Sequence, residues 1–273
     1  MSTFDDHTRL HAAGDSRFTG RVDPSWNIGT NPNGGYLLSL AVAALRQAAP
    51  QHPDPLSVTV HYLRPGLADQ PCTVDAQVVR SGRTLTTGRA TLTQEGGARI
   101  EVLAALGDLS VSAASGAASP PGLTIAAPDM PPPDRCVARS GDEQGVDLPI
   151  MQRLDIRLHP DEARAGAVGR AQVSGWIRFR DDRPPDTLAS LLFVDAFPPS
   201  VFGLLGMVGW VPTVELTVHL RRRPAPGWML GQFRTHDMLD GRIIEDGVLW
   251  DANGDLIAQS RQLALVRMAE RKN

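Results

Sequence analysis

Three polar side chains have the types and surroundings that acid–base chemistry needs. Asp195 lies in Leu188–Phe197, a stretch whose only other polar residue is Ser190. Burying an unpaired carboxylate there is costly, so Asp195 needs either donors or a role. Two readings are open: a cap on local backbone near a helix end, or a catalytic carboxylate in a narrow apolar tunnel. Thr213 stands at the start of the strand-like run Thr213–Leu220. Gln262 shares a strand face with Leu256, Ala258, Ser260 and Ala264, the less polar side of its segment. A glutamine facing inward needs hydrogen-bond partners. Each of these last two residues is ordinary alone.

Other candidates are weaker. Arg221, Arg222 and Arg223 form a basic triplet that reads as a solvated edge or as a clamp for phosphates, with Arg64 at the matching place earlier in the chain. His61 and His219 read as structural strand residues. His7 and His11 have i,i+4 spacing and no third metal ligand near them in sequence. Asp251–Asp255 has a superficial likeness to a calcium loop, but its glycine falls at the fourth place and the closing glutamate is missing, so a hairpin turn is expected. The sequence contains no G-x-S-x-G elbow and no phosphate-binding Walker loop, which leaves serine-hydrolase and NTPase readings little support.

Composition narrows the classes further. The 273 residues suffice for one large domain or two small ones. Lys+Arg 27 against Asp+Glu 30 gives a net charge of −3, which argues against a nucleic-acid partner. Two cysteines, Cys72 and Cys136, are too few for a disulfide framework and suggest a reducing compartment. The first residues lack the apolar core of a signal peptide, and no apolar run suits a membrane span, so a cytoplasmic location and no membrane partner are expected.

The positioning elements come in two sets. Residues 110–133 are dominated by Ala, Ser, Gly and Pro and read as a linker, dividing the chain into a module at 1–109, a linker at 110–139 and a module at 140–273. The two modules repeat each other: His61 and His219 are 219 − 61 = 158 positions apart, and Gly82 and Gly241 are 241 − 82 = 159 apart. Gly88/Gly247 and Leu106/Leu265 keep that offset. Each half has one helix followed by strands. The first helix is expected to start at Asn33-Gly34-Gly35, with Asn33 as N-cap and Pro50 as terminator. Its apolar positions Leu37, Leu40, Ala41, Ala44 and Leu45 follow helical spacing. Strands are expected at 57–63, 73–80, 84–93 and 98–106. The second helix is expected from Asp186-Thr187 to the Pro198-Pro199 stop, with strands at 213–220, 229–236, 243–251 and 256–266 and a hairpin at Asn253-Gly254. The fold class is therefore α+β, a long helix lying in a curled antiparallel sheet, made twice.

The pattern resembles the double-hotdog acyl-CoA thioesterases of the thioesterase II type. The resemblance rests on Leu63-Arg64-Pro65-Gly66, on the Gly34-Gly35 pair at the head of the first helix, and on an Asp, a Thr and a Gln in the second half, here Asp195, Thr213 and Gln262. It covers nearly the whole chain apart from the linker. Thr213-Val214-Glu215 departs from the more usual Thr-x-Asp. The resemblance implies an acyl-CoA substrate and no cofactor. Asp195 would activate a water held by Thr213 and Gln262, and the helix start at Gly34 and Gly35 would receive the oxyanion. Arg64, Arg221 and Arg222 would meet coenzyme A phosphates. Aligning the helix starts sets Asp195 opposite Val42, and the 159 offset sets Gln262 opposite Leu103, so one active site per chain is expected. Free sheet edges leave room for a homodimer of fused chains. The alternatives are a non-catalytic acyl-CoA-binding protein and a hotdog hydratase. The hydratase is disfavoured because no histidine closely follows Asp195.

Overall fold

A computed structural model of the chain describes residues 2–110, 122–141, 145–207 and 209–268. The middle of the expected linker, 111–121, lies outside the described residues. Among the described residues, thirteen strands form one continuous sheet. In chain order they are β1 (His11–Ala12), β2 (Arg17–Arg21), β3 (Asp54–Tyr62), β4 (Pro71–Ser81), β5 (Thr86–Gln94), β6 (Gly97–Gly107), β7 (Val137–Ala138), β8 (Leu154–Leu158), β9 (Gln172–Phe179), β10 (Thr213–Leu220), β11 (Met229–Leu239), β12 (Arg242–Trp250) and β13 (Leu256–Leu265). The order across the sheet is β1-β2-β4-β5-β6-β3-β10-β13-β12-β11-β9-β8-β7. From the β3–β10 seam outward, the two halves run in the same order, β6-β5-β4 on one side and β13-β12-β11 on the other. Every pairing is antiparallel.

The seam register explains the repeat. Thr59 pairs with Thr217, Val58 with Val218 and Val60 with Leu216. Thr59 and Thr217 are 217 − 59 = 158 positions apart, the offset of the duplication. A residue paired with its own repeat equivalent marks a local twofold axis, and the two hydroxyls meet there at 2.9 Å. The modules are thus joined as two subunits of a dimer would be, with one buried apolar core drawing on both.

Among the described residues, four α-helices accompany the sheet: α1 (Thr3–His7), α2 (Gly34–Ala48), α3 (Thr187–Phe193) and α4 (Phe202–Leu205). Helix α2 is wrapped on most sides, with ten of its fifteen residues buried. That accords with the small and apolar residues on all its faces. Its neighbour α3 is shorter than expected. It ends at Phe193, five residues before the first proline, so Asp195 lies beyond the helix and not on it. The backbone tightens there: Asp195 N–H donates to the Leu192 carbonyl and Ala196 N–H to that of Phe193, i to i−3 bonds in both cases. No helix of the described residues is long and apolar enough to cross a membrane.

Two further contacts tie distant segments down. The described part of the Pro-rich stretch is held on the second module, where Trp250 Nε1 donates to the Ile125 carbonyl and Trp176 Nε1 to that of Pro131, both at 2.8 Å. Asp54, buried at the start of β3, accepts from Thr187 Oγ1 on α3, from Leu109 N–H and from Arg223, whose Nη2 stands at 2.7 Å. Removing the guanidinium strips a buried acceptor of its charged donor. Arg223→Ala is therefore expected to lower stability by about 1–2 kcal/mol, discounted for the exposure of Arg223. A denaturant titration checks this: an unchanged midpoint would show that the clasp contributes nothing.

Candidate active site

The start of α2 from the first module meets the end of α3 from the second. Asn33 does two jobs at that junction. Its Oδ1 caps α2 by accepting from Tyr36 N–H at 3.0 Å. Its Nδ2 donates to the Asp195 carbonyl at 2.7 Å and to Asp195 Oδ2 at 2.9 Å. Gly35 N–H donates to the same Oδ2 at 2.8 Å. The glycine is required by this approach. A Cβ at Gly35 would stand 2.6 Å from the Leu191 carbonyl oxygen and 3.0 Å from Asp195 Cβ. Ser39 fastens the helix pair one turn on, donating to the carbonyls of Gly35 and Leu188.

Asp195 keeps a small exposed surface but lies deep in protein. Burial raises its carboxyl to about 6, with the nearby Glu245 charge adding to the rise and the Gly35, Asn33 and Gly34 donors opposing it. Near neutral pH the carboxylate is therefore ionised, yet more basic than an ordinary aspartate. The Asn33 and Gly35 bonds both fall on Oδ2, and Oδ1 takes neither.

Thr213 and Gln262 are brought together on adjacent strands of the second module. Thr213 Oγ1 donates to Gln262 Oε1 at 2.9 Å, and Gln262 Nε2 donates to Glu245 Oε1 at 2.6 Å. Glu245 is buried on β12 and also accepts from Ser200 N–H at 2.8 Å. Burial pushes its carboxyl up. Glu245 is bonded to Gln262, and its charge adds to the rise of the Asp195 carboxyl.

Sequence reasoning missed Asn33 as a cross-module donor, Glu245, Arg139 and Tyr62. Arg139 is buried and donates to the Ala196 carbonyl. Burial lowers its guanidinium to about 9 while the Asp195 charge favours the protonated form, so it stays charged at neutral pH. Tyr62 ends β3, its ring against Gly34. Only Asn33 left a usable trace in the sequence, as the N-cap of α2. The three expected phosphate contacts lie on the surface. Arg64 is exposed and donates to the Ala98 carbonyl at 2.9 Å, Arg221 is exposed, and Arg222 pairs with Asp255 at 3.0 Å.

One refinement concerns the glycine pair. Gly34 and Gly35 were expected to receive an oxyanion. The Gly35 N–H is instead directed at the Asp195 carboxylate, and the Gly34 N–H also favours the ionised form of that group. The helix start therefore holds the Asp195 carboxylate.

Comparison with known proteins gives a consistent match. The family model of the acyl-CoA thioesterase N-terminal domain matches residues 22–110, and that of the C-terminal domain matches residues 133–266. Among solved structures, a Thermobifida fusca YX protein provisionally named thioesterase II is 33% identical, with a TM-score of 0.84 over 97% of this chain and 98% of that one. A hot-dog-fold protein of unknown function from Alicyclobacillus acidocaldarius is 25% identical, with a TM-score of 0.84 over 98% of this chain and 99% of that one. An uncharacterised protein of Mycobacterium tuberculosis is 30% identical over 268 residues, 91% of this chain and 90% of that protein.

Proposed function

The chain belongs to the acyl-CoA thioesterase family and is a thioester hydrolase, and on that footing we propose that it cleaves an acyl-CoA to the free acid and coenzyme A with a water activated by Asp195. The observation that carries the reading is the Asp195 carboxylate held at the start of α2 by Asn33 and Gly35, with Oδ1 free of those two bonds. A general base works best with a pKa near the working pH, and burial has moved Asp195 in that direction. Asp195 takes a proton from the water as its oxygen attacks the thioester carbonyl. Thr213 and Gln262, fixed by Glu245, hold that water's remaining hydrogen bonds. The proton then passes to the departing thiolate. The sheet register corrects one expected counterpart: the place of Gln262 is taken in the first module by the buried Ala104 and not by Leu103, which faces outward. With Val42 opposite Asp195 in the alignment of the helix starts, the first module has no polar group at either place, which supports one active site per chain.

Coenzyme A would lie over the exposed arginines Arg64, Arg221 and Arg222. Arg222 would leave Asp255 to meet a phosphate. Cys72 and Cys136 are both unpaired, which supports a reducing, cytoplasmic setting, and burial keeps the Cys72 thiol inert at about 11. The free ends of the sheet support a homodimer of fused chains.

Thiol release from a panel of acyl-CoAs of increasing chain length tests the reading. Binding without release at any length would replace it with an acyl-CoA-binding protein. Enoyl-CoA hydration would replace it with a hydratase.

A pH dependence follows from the base. Activity needs the ionised carboxylate, so kcat/KM is expected to fall as pH drops through about 6 and to level off above 7. Stability moves the other way. The folded pKa of Asp195 is raised above its unfolded value, so the folded state binds the proton more tightly, and this group's contribution to stability rises as pH falls through 6 towards 4. A rate profile with no acid limb near 6 would remove Asp195 as the titrating base.

A further inference from the structure

The hydroxyl of Tyr62 is buried and has no hydrogen-bond partner among the described residues. Buried hydroxyls without partners are uncommon and need a reason. The place of this one suggests the reason. A Cβ on Gly34 would come within 2.8–2.9 Å of Tyr62 Cε1, Cζ and Oη, so the phenol lies against the first residue of α2. The next residue along, Gly35, holds the Asp195 carboxylate. Burial, with the charges of Asp195 and Glu215 adding to it, holds the phenol's pKa well above the ordinary value, so it remains a proton donor at working pH.

The chemistry proposed above lacks a donor at this point. Attack on a thioester carbonyl places a negative charge on the carbonyl oxygen, and that charge needs a hydrogen-bond donor. The obvious donors, the free N–H groups at the start of α2, are turned towards Asp195. We infer that the Tyr62 hydroxyl is the oxyanion donor: it meets the thioester carbonyl oxygen of the substrate beside Gly34 and is left unpartnered when no substrate is bound. The inference rests on the thioester-hydrolysis reading.

The step balances without an added reactant. The water oxygen forms a bond to the carbonyl carbon as its proton goes to Asp195. The π pair moves onto the carbonyl oxygen, which accepts a hydrogen bond from Tyr62 while the phenol keeps its proton. The pair returns as the C–S bond breaks, and the thiolate takes the proton from Asp195.

The test compares wild type, Y62F and D195N on the acyl-CoA that wild type turns over fastest. Y62F is expected to lose about 100-fold in kcat with KM changed less than about threefold, the size of effect seen when an oxyanion donor is removed. A trifluoromethyl-ketone analogue of that substrate, which can present an oxyanion, should bind Y62F more weakly by a similar factor, while coenzyme A binds equally. The variant removes only an unpaired buried hydroxyl, so its thermal midpoint should hold or rise. Should Y62F fail to fold, fluorotyrosine-labelled wild type gives the answer. The chain has two tyrosines, and Tyr36 already donates to the His7 carbonyl. The Tyr62 resonance should shift on adding the ketone analogue and the Tyr36 resonance should not, the two being assigned with Y36F. Wild-type kcat in Y62F, or a Tyr62 resonance unmoved by the analogue, overturns the inference while leaving the hydrolase reading intact. A wild-type protein that releases thiol from no acyl-CoA overturns both.

Discussion

Asp195→Asn is expected to lower kcat/KM for acyl-CoA hydrolysis by about 10³-fold while leaving the fold intact. A lost general base costs about 10²–10⁴-fold, and the expected loss lies at the middle of that range. An asparagine has nearly the shape of the carboxylate. Its carbonyl oxygen can still accept from Asn33 Nδ2 and Gly35 N–H, the two bonds that hold the module junction. It carries no charge to desolvate and none for Glu245 to repel, so the thermal midpoint should hold or rise. The residual rate should be flat through pH 6. This result separates the two readings of Asp195 that the sequence left open. A residue that only held backbone would keep its rate, because asparagine accepts the same bonds. Hydrolysis by D195N within tenfold of wild type would end the base assignment.

The second large effect is structural and acts on the same atoms. Gly35→Ala adds a methyl whose carbon would stand 2.6 Å from the Leu191 carbonyl oxygen and 3.0 Å from Leu192 Cα. Both are backbone atoms of α3 or its end, and neither can rotate away. Alanine is the better helix former by about 1 kcal/mol in a helix interior, but Gly35 stands in the first turn, where that gain is smaller. Forcing extra volume into packed helices costs about 1–3 kcal/mol, so the clash prevails and α2 must withdraw from α3. As it withdraws, the Gly35 N–H leaves Asp195, and activity should fall by about 100-fold or more. A denaturation midpoint measured beside the rate checks both parts. Gly34→Ala makes a useful contrast, because there the methyl meets the ring of Tyr62, a side chain able to move. Its stability cost should be the smaller of the two. A G35A protein as stable and active as wild type would show that the helices are not locked at this crossing.

What could be read in the sequence was what local order writes into it. Strands β3 to β6 and β10 to β13 were legible because each carries alternation along its length and ends at a turn. The turn between β12 and β13 shows the same logic: Asp251 Oδ1 accepts from Asn253 N–H and Asp255 N–H, which builds a hairpin and occupies the carboxylate that a calcium loop would need. Helix α2 was legible from its N-cap and spacing. The end of α3 was not, because Pro198 marks where a helix must have stopped and says nothing about where tightening begins. Short edge strands such as β1 and β7, two residues each, carry no periodicity to read. The site itself depends on partners far apart in sequence. Asn33 and Asp195 are 162 residues apart, and Gln262 and Glu245 lie on neighbouring strands. Their residue types were visible, but their pairing was not: the closing of the sheet at β3 and β10 joins the modules that carry Asn33 and Asp195, and the register of the β12–β13 hairpin sets Glu245 against Gln262.

That closure, with Thr59 facing its own counterpart Thr217, has a bearing on how the protein can evolve. Two separate subunits related by such an axis are bound to be identical, so whatever improves one catalytic corner alters the other as well. Joining them by a peptide lifts that obligation. One corner can keep its acid and amide while the other fills with hydrocarbon for packing strength, and dilution cannot pull the surviving corner apart.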